Sequence, residues 1–314
     1  MKNDISKVTR TAESVGFPDV ILIDNFSGCN LQCSQCDHKN IRKYRKIQRM
    51  DWGLYTRLID EIAKEKPEAR IWEIFFGEPF LCADMPQRIK YAKDKGCKDV
   101  VLNSNGVLMT PDKAKAVIEA GLDAIYVGID AFEEGTYNKI RVGGNLRRVR
   151  DNVFAYKGLL EEIGNRSQKL YVQFVECDLN EGEAEVFKQF WTNCGVSVKI
   201  RPKISWAGLV DASNETADNQ RNRKPCYWLM RCLNICADGS VALCSVDLHC
   251  RVKCGNANIQ SIKELWDSKL AEYRAMHREG RWGELPEMCQ YCRDWQSTYS
   301  ETVDGKRQNT LLIL

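Results

Sequence analysis

Apolar and polar residues follow two regular patterns up to about residue 200. Short apolar, β-branched runs predict strands that are buried on both faces. Between these runs, apolar residues recur at helical spacing, as they do at Leu54, Leu58 and Ile62. Strands are therefore predicted to alternate with amphipathic helices, and the strands lie at 20–23, 71–75, 100–102, 124–129, 170–175 and 196–200.

This order of elements favours a parallel sheet, because each strand is joined to the next by a stretch with the period of a helix. Two of these helices are predicted to end at Gly121 and Gly164, since glycine readily adopts the conformation that closes a helix. The pattern predicts the α/β class, as a partial (β/α)6 TIM-like barrel. An open doubly wound sheet has the same periodicity.

The pattern changes after Pro202. Residues 211–224 are polar and lack an apolar period, which is typical of a linker. The segment after them is rich in cysteine and predicts a small α+β domain. The predicted organisation is a barrel domain, a linker, an auxiliary domain and a tail, at 1–205, 206–224, 225–296 and 297–314.

Within the small domain, two apolar runs at 233–237 and 241–244 flank an Asp-Gly pair, which predicts a β-hairpin. Residues 261–279 have helical spacing and predict one helix. The chain closes with an apolar run at 311–314, which predicts a docking strand.

Charge and length exclude several classes of protein. The 314 residues carry 46 Lys and Arg against 43 Asp and Glu, and this formal charge of +3 is too small to favour a nucleic-acid partner. No apolar run is long enough to span a membrane. The first residues lead into no apolar segment, so no secretory signal is predicted and we expect a cytoplasmic protein.

The 15 cysteines are the unusual feature of the composition. Thiols stay reduced in the cytoplasm, so these residues are either small core residues or metal ligands. Cys29, Cys33 and Cys36 form Cys-x3-Cys-x2-Cys after the first predicted strand, where α/β proteins place their chemistry. Three thiolates at this spacing can hold a [4Fe–4S] cluster whose fourth iron is open. Zinc with His38 as the fourth ligand, or three free buried thiols, are the alternatives.

Residues 29–36 resemble the signature of the radical S-adenosylmethionine (radical SAM) superfamily, and further motifs follow in the family's order. Residues 76–79 (Phe-Gly-Glu-Pro) resemble its Gly-Gly-Glu-Pro motif, with Phe76 as a departure. The segments 103–106, 128–130 and 137–141 resemble the motifs near the ribose, at the fourth strand and at a ligand-binding arginine.

The resemblance covers residues 18–205 and implies a binding site for S-adenosylmethionine. Glu78 is implied to meet the amino group and Arg141 the carboxylate, which suits an acid and a planar cation. The backbone of Gln35 is implied to meet the adenine. The implied binding residues are Gln35, Gly77, Glu78, Pro79, Ser104, Asn105, Asp130 and Arg141.

A second group of cysteines lies in the predicted auxiliary domain. Cys226 and Cys244 enclose the hairpin, and Cys289 and Cys292 form Cys-x2-Cys. Four thiolates make a closed set for one [4Fe–4S] cluster or for zinc. The layout resembles the SPASM/Twitch extension of radical SAM enzymes, and it implies one auxiliary [4Fe–4S] cluster in the shorter Twitch form.

The other cysteines are predicted to be packing residues. Two alternatives to packing remain open for four of them, a further metal site and a thiol that donates a hydrogen atom to a substrate radical. These four are Cys232, Cys236, Cys250 and Cys254. The basic run 42–46 is predicted to be a solvated face, with an anionic substrate as the alternative.

The resemblance implies an enzyme that splits S-adenosylmethionine and takes a hydrogen atom from a substrate C–H bond, with a flavodoxin- or ferredoxin-type electron donor. The Twitch form is similar to dehydrogenases of aminocyclitols, so we expect oxidation of a small sugar- or cyclitol-like alcohol, with the auxiliary cluster as electron acceptor. The short segment before the first strand favours a small molecule over a peptide. A peptide maturase or epimerase is the alternative, and a non-catalytic zinc-binding module is the third reading.

Overall fold

The computed structural model describes residues 16–165, 167–212, 223–299, 302–303 and 306–307. Its strands are β1 (Val20–Ile23), β2 (Arg70–Trp72), β3 (Asp99–Ser104), β4 (Ala124–Gly128), β5 (Lys169–Glu176), β6 (Ser197–Pro202), β7 (Cys232–Ile235), β8 (Ser240–Ala242), β9 (Lys253–Asn256), β10 (Thr302–Val303) and β11 (Lys306–Arg307). Its α-helices are α1 (Trp52–Glu65), α2 (Met85–Asp94), α3 (Pro111–Glu119), α4 (Glu134–Ile140), α5 (Leu146–Ile163), α6 (Ala184–Asn193), α7 (Tyr227–Arg231), α8 (Ile262–Asp267), α9 (Lys269–Glu279) and α10 (Glu287–Gln290).

The first six strands form a parallel sheet in chain order, β1 to β6, with helices in the connections. This confirms the α/β class and the predicted barrel arc. Parallel strands in sequential order bring all their carboxyl ends to one edge, which is where the loops with the predicted motifs lie. β10 and β11 extend the sheet beyond β6.

The second part of the chain continues the same sheet. β7 pairs in parallel with β1, with Ile21 opposite Leu233, and β8 and β9 follow as antiparallel strands. β7 and β8 form the predicted hairpin, and Gly239 between them has a positive φ of 84°. The auxiliary region is therefore joined to the barrel by backbone hydrogen bonds of one sheet.

Local signals fix the helix ends near the predicted positions. α1 begins at Asp51, whose carboxylate accepts a hydrogen bond from the Leu54 amide at 3.0 Å. α5 begins at Asn145, whose side chain accepts from the Arg148 amide, and ends at Gly164 in the left-handed conformation. The apolar stripe of each helix is buried against the sheet, as the periodicity predicted.

Two predicted elements are wrong in their bounds. β2 ends at Trp72 rather than residue 75, because the carbonyl of Glu73 accepts from the Asn25 side chain at 3.1 Å instead of a strand. The single helix at 261–279 is broken at Ser268, which adopts a non-helical φ of −94° and ψ of −132°. Trp266 and Leu270, on either side of this break, are both buried.

Several other predictions lie partly or wholly outside the described residues. Residues 213–222 of the predicted linker and the apolar run 311–314 are among them. Cys82, Cys97 and Cys177 are buried, in keeping with packing roles. No helix in the described ranges is long and apolar enough to cross a membrane.

Candidate functional site

The carboxyl ends of the strands surround a cavity of about 170 Å³, called here the cysteine cavity. It is lined by the three cysteines of the first motif and by all but one of the residues predicted to bind S-adenosylmethionine. The exception is Pro79, which begins a short 3-10 helix beside the cavity. The predicted residues that line it are Cys29, Cys33, Cys36, Gln35, Gly77, Glu78, Ser104, Asn105, Asp130 and Arg141.

The three cysteines are half-buried, and polar donors reach two of them from the end of β3 and from the end of α4. Asn105 Nδ2 lies 3.9 Å from the sulfur of Cys29, and Arg141 Nη1 lies 3.8 Å from that of Cys33. Burial raises the pKa of Cys29 to about 11 and that of Cys36 to about 12. Such thiols are weak nucleophiles at neutral pH, and metal coordination is the chemistry that removes their protons.

Glu78 is a fully buried carboxylate held by donors from β3 and its own turn. Ser104 Oγ donates to Glu78 Oε1 at 2.8 Å, and the Asn105 amide donates to Oε2 at 2.9 Å. The Phe80 amide donates to Oε1 at 3.1 Å. Burial raises the pKa of Glu78 despite these bonds. Oε2 retains capacity for one more donor, as an ammonium group requires.

Arg141 forms a buried ion pair with Asp130 across the mouth of β4. Their Nη2 and Oδ2 atoms are 2.6 Å apart. Burial by itself lowers the pKa of Arg141, but Asp130, Cys33 and Tyr137 together raise it above its usual value. Asp130 adopts a positive φ of 61°, which is rare for a residue with a side chain. A Cβ at Gly128 would collide with the Arg141 guanidinium, so glycine is required there.

Trp206 is a cavity residue that the sequence reasoning assigned to the linker. Its indole Nε1 donates to the Gln35 carbonyl at 2.7 Å, and its ring meets Phe76 edge-on at 4.9 Å between centroids. The Gln35 side chain donates to the sulfur of Cys177 at 3.0 Å. Phe76, which departs from the family motif, therefore supports the wall that Trp206 forms. No local periodicity marks Trp206, and only the fold brings it here.

The second cysteine group surrounds a small closed cavity of about 20 Å³. Burial raises the pKa of Cys226 to about 12, and the pKa values of the other three are also raised by burial. Cys244 follows the hairpin and Cys289 lies in α10, so elements far apart in sequence meet here. The cysteines that line this cavity are Cys226, Cys244, Cys289 and Cys292.

Two residues that the sequence reasoning missed bond to this second group. His277 Nε2 lies 3.3 Å from the sulfur of Cys289, and Nδ1 of the same ring accepts from the Cys226 amide at 3.3 Å. Arg223 donates to the Cys289 carbonyl at 2.6 Å and lies 3.7 Å from its sulfur. The sequence offered one signal for His277. It lies on the predicted helix before the Cys-x2-Cys motif, and this helix leads the chain from the hairpin to the second pair of cysteines.

The four remaining cysteines of the auxiliary region do not share one environment. The thiols of Cys236 and Cys250 are hydrogen-bonded to each other. The thiol of Cys232 is hydrogen-bonded to the side chain of Ser245, and the thiol of Cys254 donates to the Val252 carbonyl at 3.7 Å. The structure therefore brings together one pair rather than four ligands.

The donor sets suit iron–sulfur clusters in different ways. Three half-buried thiols with polar donors line a cavity with room for a small molecule, whereas four thiols, two of them buried, line a closed one. Thiolates are the ligands of such clusters, and hydrogen bonds to sulfur tune them. In the described part of the chain, no three His, Cys, Asp or Glu side chains form a set for a single metal ion.

Comparison with known families matches both regions. Residues 26–164 match the radical SAM superfamily, and residues 226–293 match the SPASM iron–sulfur cluster-binding domain. A probable GTP 3′,8-cyclase of Methanococcus maripaludis is 31% identical over 176 residues, which are 55% of this chain and 54% of the relative. The chain spans about half the length of the curated relatives that it matches first.

Solved structures share the fold of nearly the whole chain. BtrN in complex with AdoMet and 2-DOIA has a TM-score of 0.59 at 17% identity and covers 88% of this chain and 92% of its own. SuiB of Streptococcus suis, bound to the precursor peptide SuiA, has a TM-score of 0.70 at 11% identity, with 92% and 74% covered. At these low sequence identities, the structural similarity is evidence of a shared fold only.

The two matched families imply the cofactors of this chain. These are S-adenosylmethionine and a [4Fe–4S] cluster for the first domain and auxiliary iron–sulfur binding for the second. The chain is thus a member of the radical SAM superfamily with a C-terminal SPASM domain.

Proposed function

We propose that this radical SAM enzyme oxidises a small hydroxylated substrate, with the second cysteine group holding the electron acceptor. The observation that carries this proposal is a further cavity of about 130 Å³ inside the barrel, called here the barrel cavity. Phe75, Phe76 and Asn103 line both this cavity and the cysteine cavity. Val246 lines both the barrel cavity and the closed cavity of the second group. A substrate in the barrel cavity therefore lies between the two cysteine groups.

The cysteine cavity would hold the first cluster at Cys29, Cys33 and Cys36, and the closed cavity would hold the auxiliary one. When bound, the first supplies a 5′-deoxyadenosyl radical from S-adenosylmethionine, and the second supplies an acceptor for one electron. Removal of a hydrogen atom from the carbon of an alcohol, followed by loss of one electron and the hydroxyl proton, leaves a carbonyl group.

The barrel wall offers hydrogen-bonding groups that suit a hydroxyl. Gln173 Nε2 donates to Asn103 Oδ1 at 3.1 Å, and both side chains line the barrel cavity. Each amide keeps a further donor or acceptor after this bond. The aromatic walls at Phe76 and Trp206 shield the space from water, which protects a radical from side reactions.

The test compares wild type with Cys226→Ala in reduced, cluster-reconstituted enzyme. We expect this variant to split S-adenosylmethionine but to lose substrate oxidation, measured as a product two mass units lighter than the substrate. Cys194→Ala, at the end of α6 and remote from both groups in sequence, is the matched control. Oxidation that persists undiminished in Cys226→Ala contradicts the electron-acceptor role.

A second candidate follows from the sequence relationship to GTP 3′,8-cyclases. In this alternative the substrate radical closes a ring, and the cyclised radical then gains one electron from the reduced auxiliary cluster and one proton, which replace the hydrogen atom that was removed. Mass spectrometry separates the two, because an intramolecular cyclisation leaves the mass of the product unchanged.

A further inference from the structure

We infer that the substrate carries an anionic group, a phosphate or a carboxylate, held by cationic side chains on the inner face of β6. This inference rests on the proposed function in one respect, namely that the substrate occupies the barrel cavity. The cations are Lys199, Arg201 and Lys203, called here the cation ladder.

The cation ladder follows from the alternation of side chains along a strand. Residues i, i+2 and i+4 share one face, so these three positions point the same way from β6 and its extension. Lys199 and Arg201 line the barrel cavity, and Arg201 and Lys203 line the cysteine cavity. Lys203 is held beside the strand by its amide, which donates to the Glu176 carbonyl at 3.1 Å. Arg201 thus faces the junction of the two cavities.

The described residues that line the barrel cavity include no Asp or Glu. In the cysteine cavity the acids are Glu78 and Asp130. Glu78 is bound by three donors, and Asp130 is paired with Arg141 at 2.6 Å. Arg201 and Lys203 therefore present positive charge to a space that is partly closed to water, where a charge is costly unless a counter-charge meets it.

The geometry of the ladder suits an anion with several oxygens. Arg201 offers a planar fork of N–H donors, which matches two oxygens of a phosphate or carboxylate. Lys199 is 3% exposed, and its ammonium lies 5.5 Å from the centre of the Tyr126 ring, so its charge is fixed at the base of the cavity.

The rest of the barrel cavity is aromatic. Trp72, Phe75, Phe76, Trp206 and Trp228 line it. Such walls accommodate the apolar or planar body of a ligand. The substrate class is therefore a small hydroxylated anion with an apolar or planar part. An aminocyclitol would bring a positive charge toward the like charges of Arg201 and Lys203, so the charge pattern disfavours the aminocyclitol that the sequence resemblance suggested.

The experiment measures anion binding to the anaerobic, cluster-reconstituted protein by titration calorimetry. The probes are inorganic pyrophosphate and, separately, benzoate, so that the phosphate and carboxylate sources are distinguished. The variants are Arg201→Gln and Arg201→Lys. Arg147→Gln, on the exposed face of α5, removes the same charge outside the cavities and is the matched control.

We expect at least one probe to bind wild type and Arg147→Gln with equal affinity. Arg201→Gln should weaken that binding about tenfold or more, and Arg201→Lys should restore part of it. The probe that responds identifies the anionic group. Three outcomes overturn the inference: equal binding by wild type and Arg201→Gln, no saturable binding of either probe below about 1 mM, or a loss in Arg201→Gln confined to S-adenosylmethionine affinity.

Cleavage of S-adenosylmethionine by wild type and Arg147→Gln is measured in the same preparations without probe. If neither preparation cleaves it, the proposed function fails even where the anion binding depends on Arg201. If both cleave it while the anion binding is independent of Arg201, the inference fails and the proposed function stands.

Discussion

The two cysteine groups of this chain share a ligand type and differ in almost everything around it. The first group lies in a loop at the carboxyl end of β1 and opens on a cavity of about 170 Å³ whose walls include Glu78, Asn105 and Asp130. The second encloses about 20 Å³ between a hairpin and two helices. An open set leaves a coordination position for a small molecule, whereas a closed set of four does not. In the proposed function, bond cleavage takes place at the open group and electron storage at the closed group.

The largest expected effect comes from removing one ligand of the open group. Cys33→Ala should abolish S-adenosylmethionine cleavage, a loss larger than the roughly 100-fold that changes around a metal ligand cause. Iron should fall from about eight to about four per chain, because the closed group is untouched. Iron and sulfide assays with measurement of 5′-deoxyadenosine check both statements.

Cys194→Ala is the control for this experiment, since it removes a half-buried thiol at the end of α6. Its iron content and activity should match wild type. Retention of cleavage in Cys33→Ala would contradict the assignment of the first group as the site of bond cleavage.

The open group also depends on close backbone contact, which Gly77→Ala tests. A Cβ at Gly77 would collide with the carbonyl oxygens of Phe26 and Gly28, neither of which is a flexible side-chain end. The next amide, of Glu78, donates to the Gly28 carbonyl at 2.8 Å, so the two loops would have to separate. We expect a loss of about 1–3 kcal/mol in the free energy of unfolding.

Gly158→Ala is the matched control for this loss, because Gly158 lies within α5 and a Cβ there meets nothing within 4 Å. It should gain up to about 1 kcal/mol, since alanine favours a helix. Denaturant unfolding measures both variants. Equal changes in the two would show that the contact at Gly77 is not tight.

The cysteine groups and most of the open site could be predicted from the sequence, because these residues lie in short motifs at strand ends. The positions of Trp206, His277 and Arg201 could not be predicted, since none of these residues belongs to a local pattern with a known ligand. Trp206 and His277 reach their sites through a loop and a helix that return from distant parts of the chain. Arg201 had a signal in the alternation of cations along β6, which acquires meaning only when the strand is known to face a cavity.

The basic run 42–46 is, for the most part, the solvated face that the sequence predicted, because Arg42, Lys43, Tyr44 and Lys46 are exposed. Arg45 is the exception, since its side chain is 9% exposed and forms an ion pair with Asp24 at 2.6 Å. It does not line the barrel cavity either.

A buried glutamate in the barrel domain, Glu73, makes the stability of the protein depend on pH. Glu73 accepts from Tyr55 at 2.6 Å and from Asn25 at 2.5 Å, and burial raises its pKa from 4.5 to about 6. Between these values the folded state binds more protons than the unfolded state. The free energy of unfolding therefore falls by about 2 kcal/mol as pH rises from 4.5 to 6. Above pH 6 the contribution of Glu73 no longer changes with pH.

Glu73→Gln should remove that fall, because glutamine does not titrate. The free energy of unfolding is measured at several pH values across the window for both proteins. A slope that is unchanged in the variant would assign the pH dependence to another group.

The smallest expected effect concerns the closed group and the hydrogen bond that His277 makes to it. Nδ1 accepts from the Cys226 amide, so Nε2 carries the proton and donates to the sulfur of Cys289. A donor to a cluster sulfur stabilises the more negative, reduced state and raises the reduction potential. His277→Leu removes the donor, and at about 1 kcal/mol for one hydrogen bond the auxiliary potential should fall by about 40 mV.

His277→Gln provides the control, because its side-chain amide can place an N–H near the position of Nε2 and should restore much of the potential. The potential of the first cluster, titrated in the same sample, should stay constant in both variants. A fall of equal size in the Leu and Gln variants would mean that His277 acts through packing instead. A shift that appears only in the Leu variant, and only in the auxiliary cluster, assigns tuning to the N–H donor and separates the electron-storing group from the bond-cleaving one.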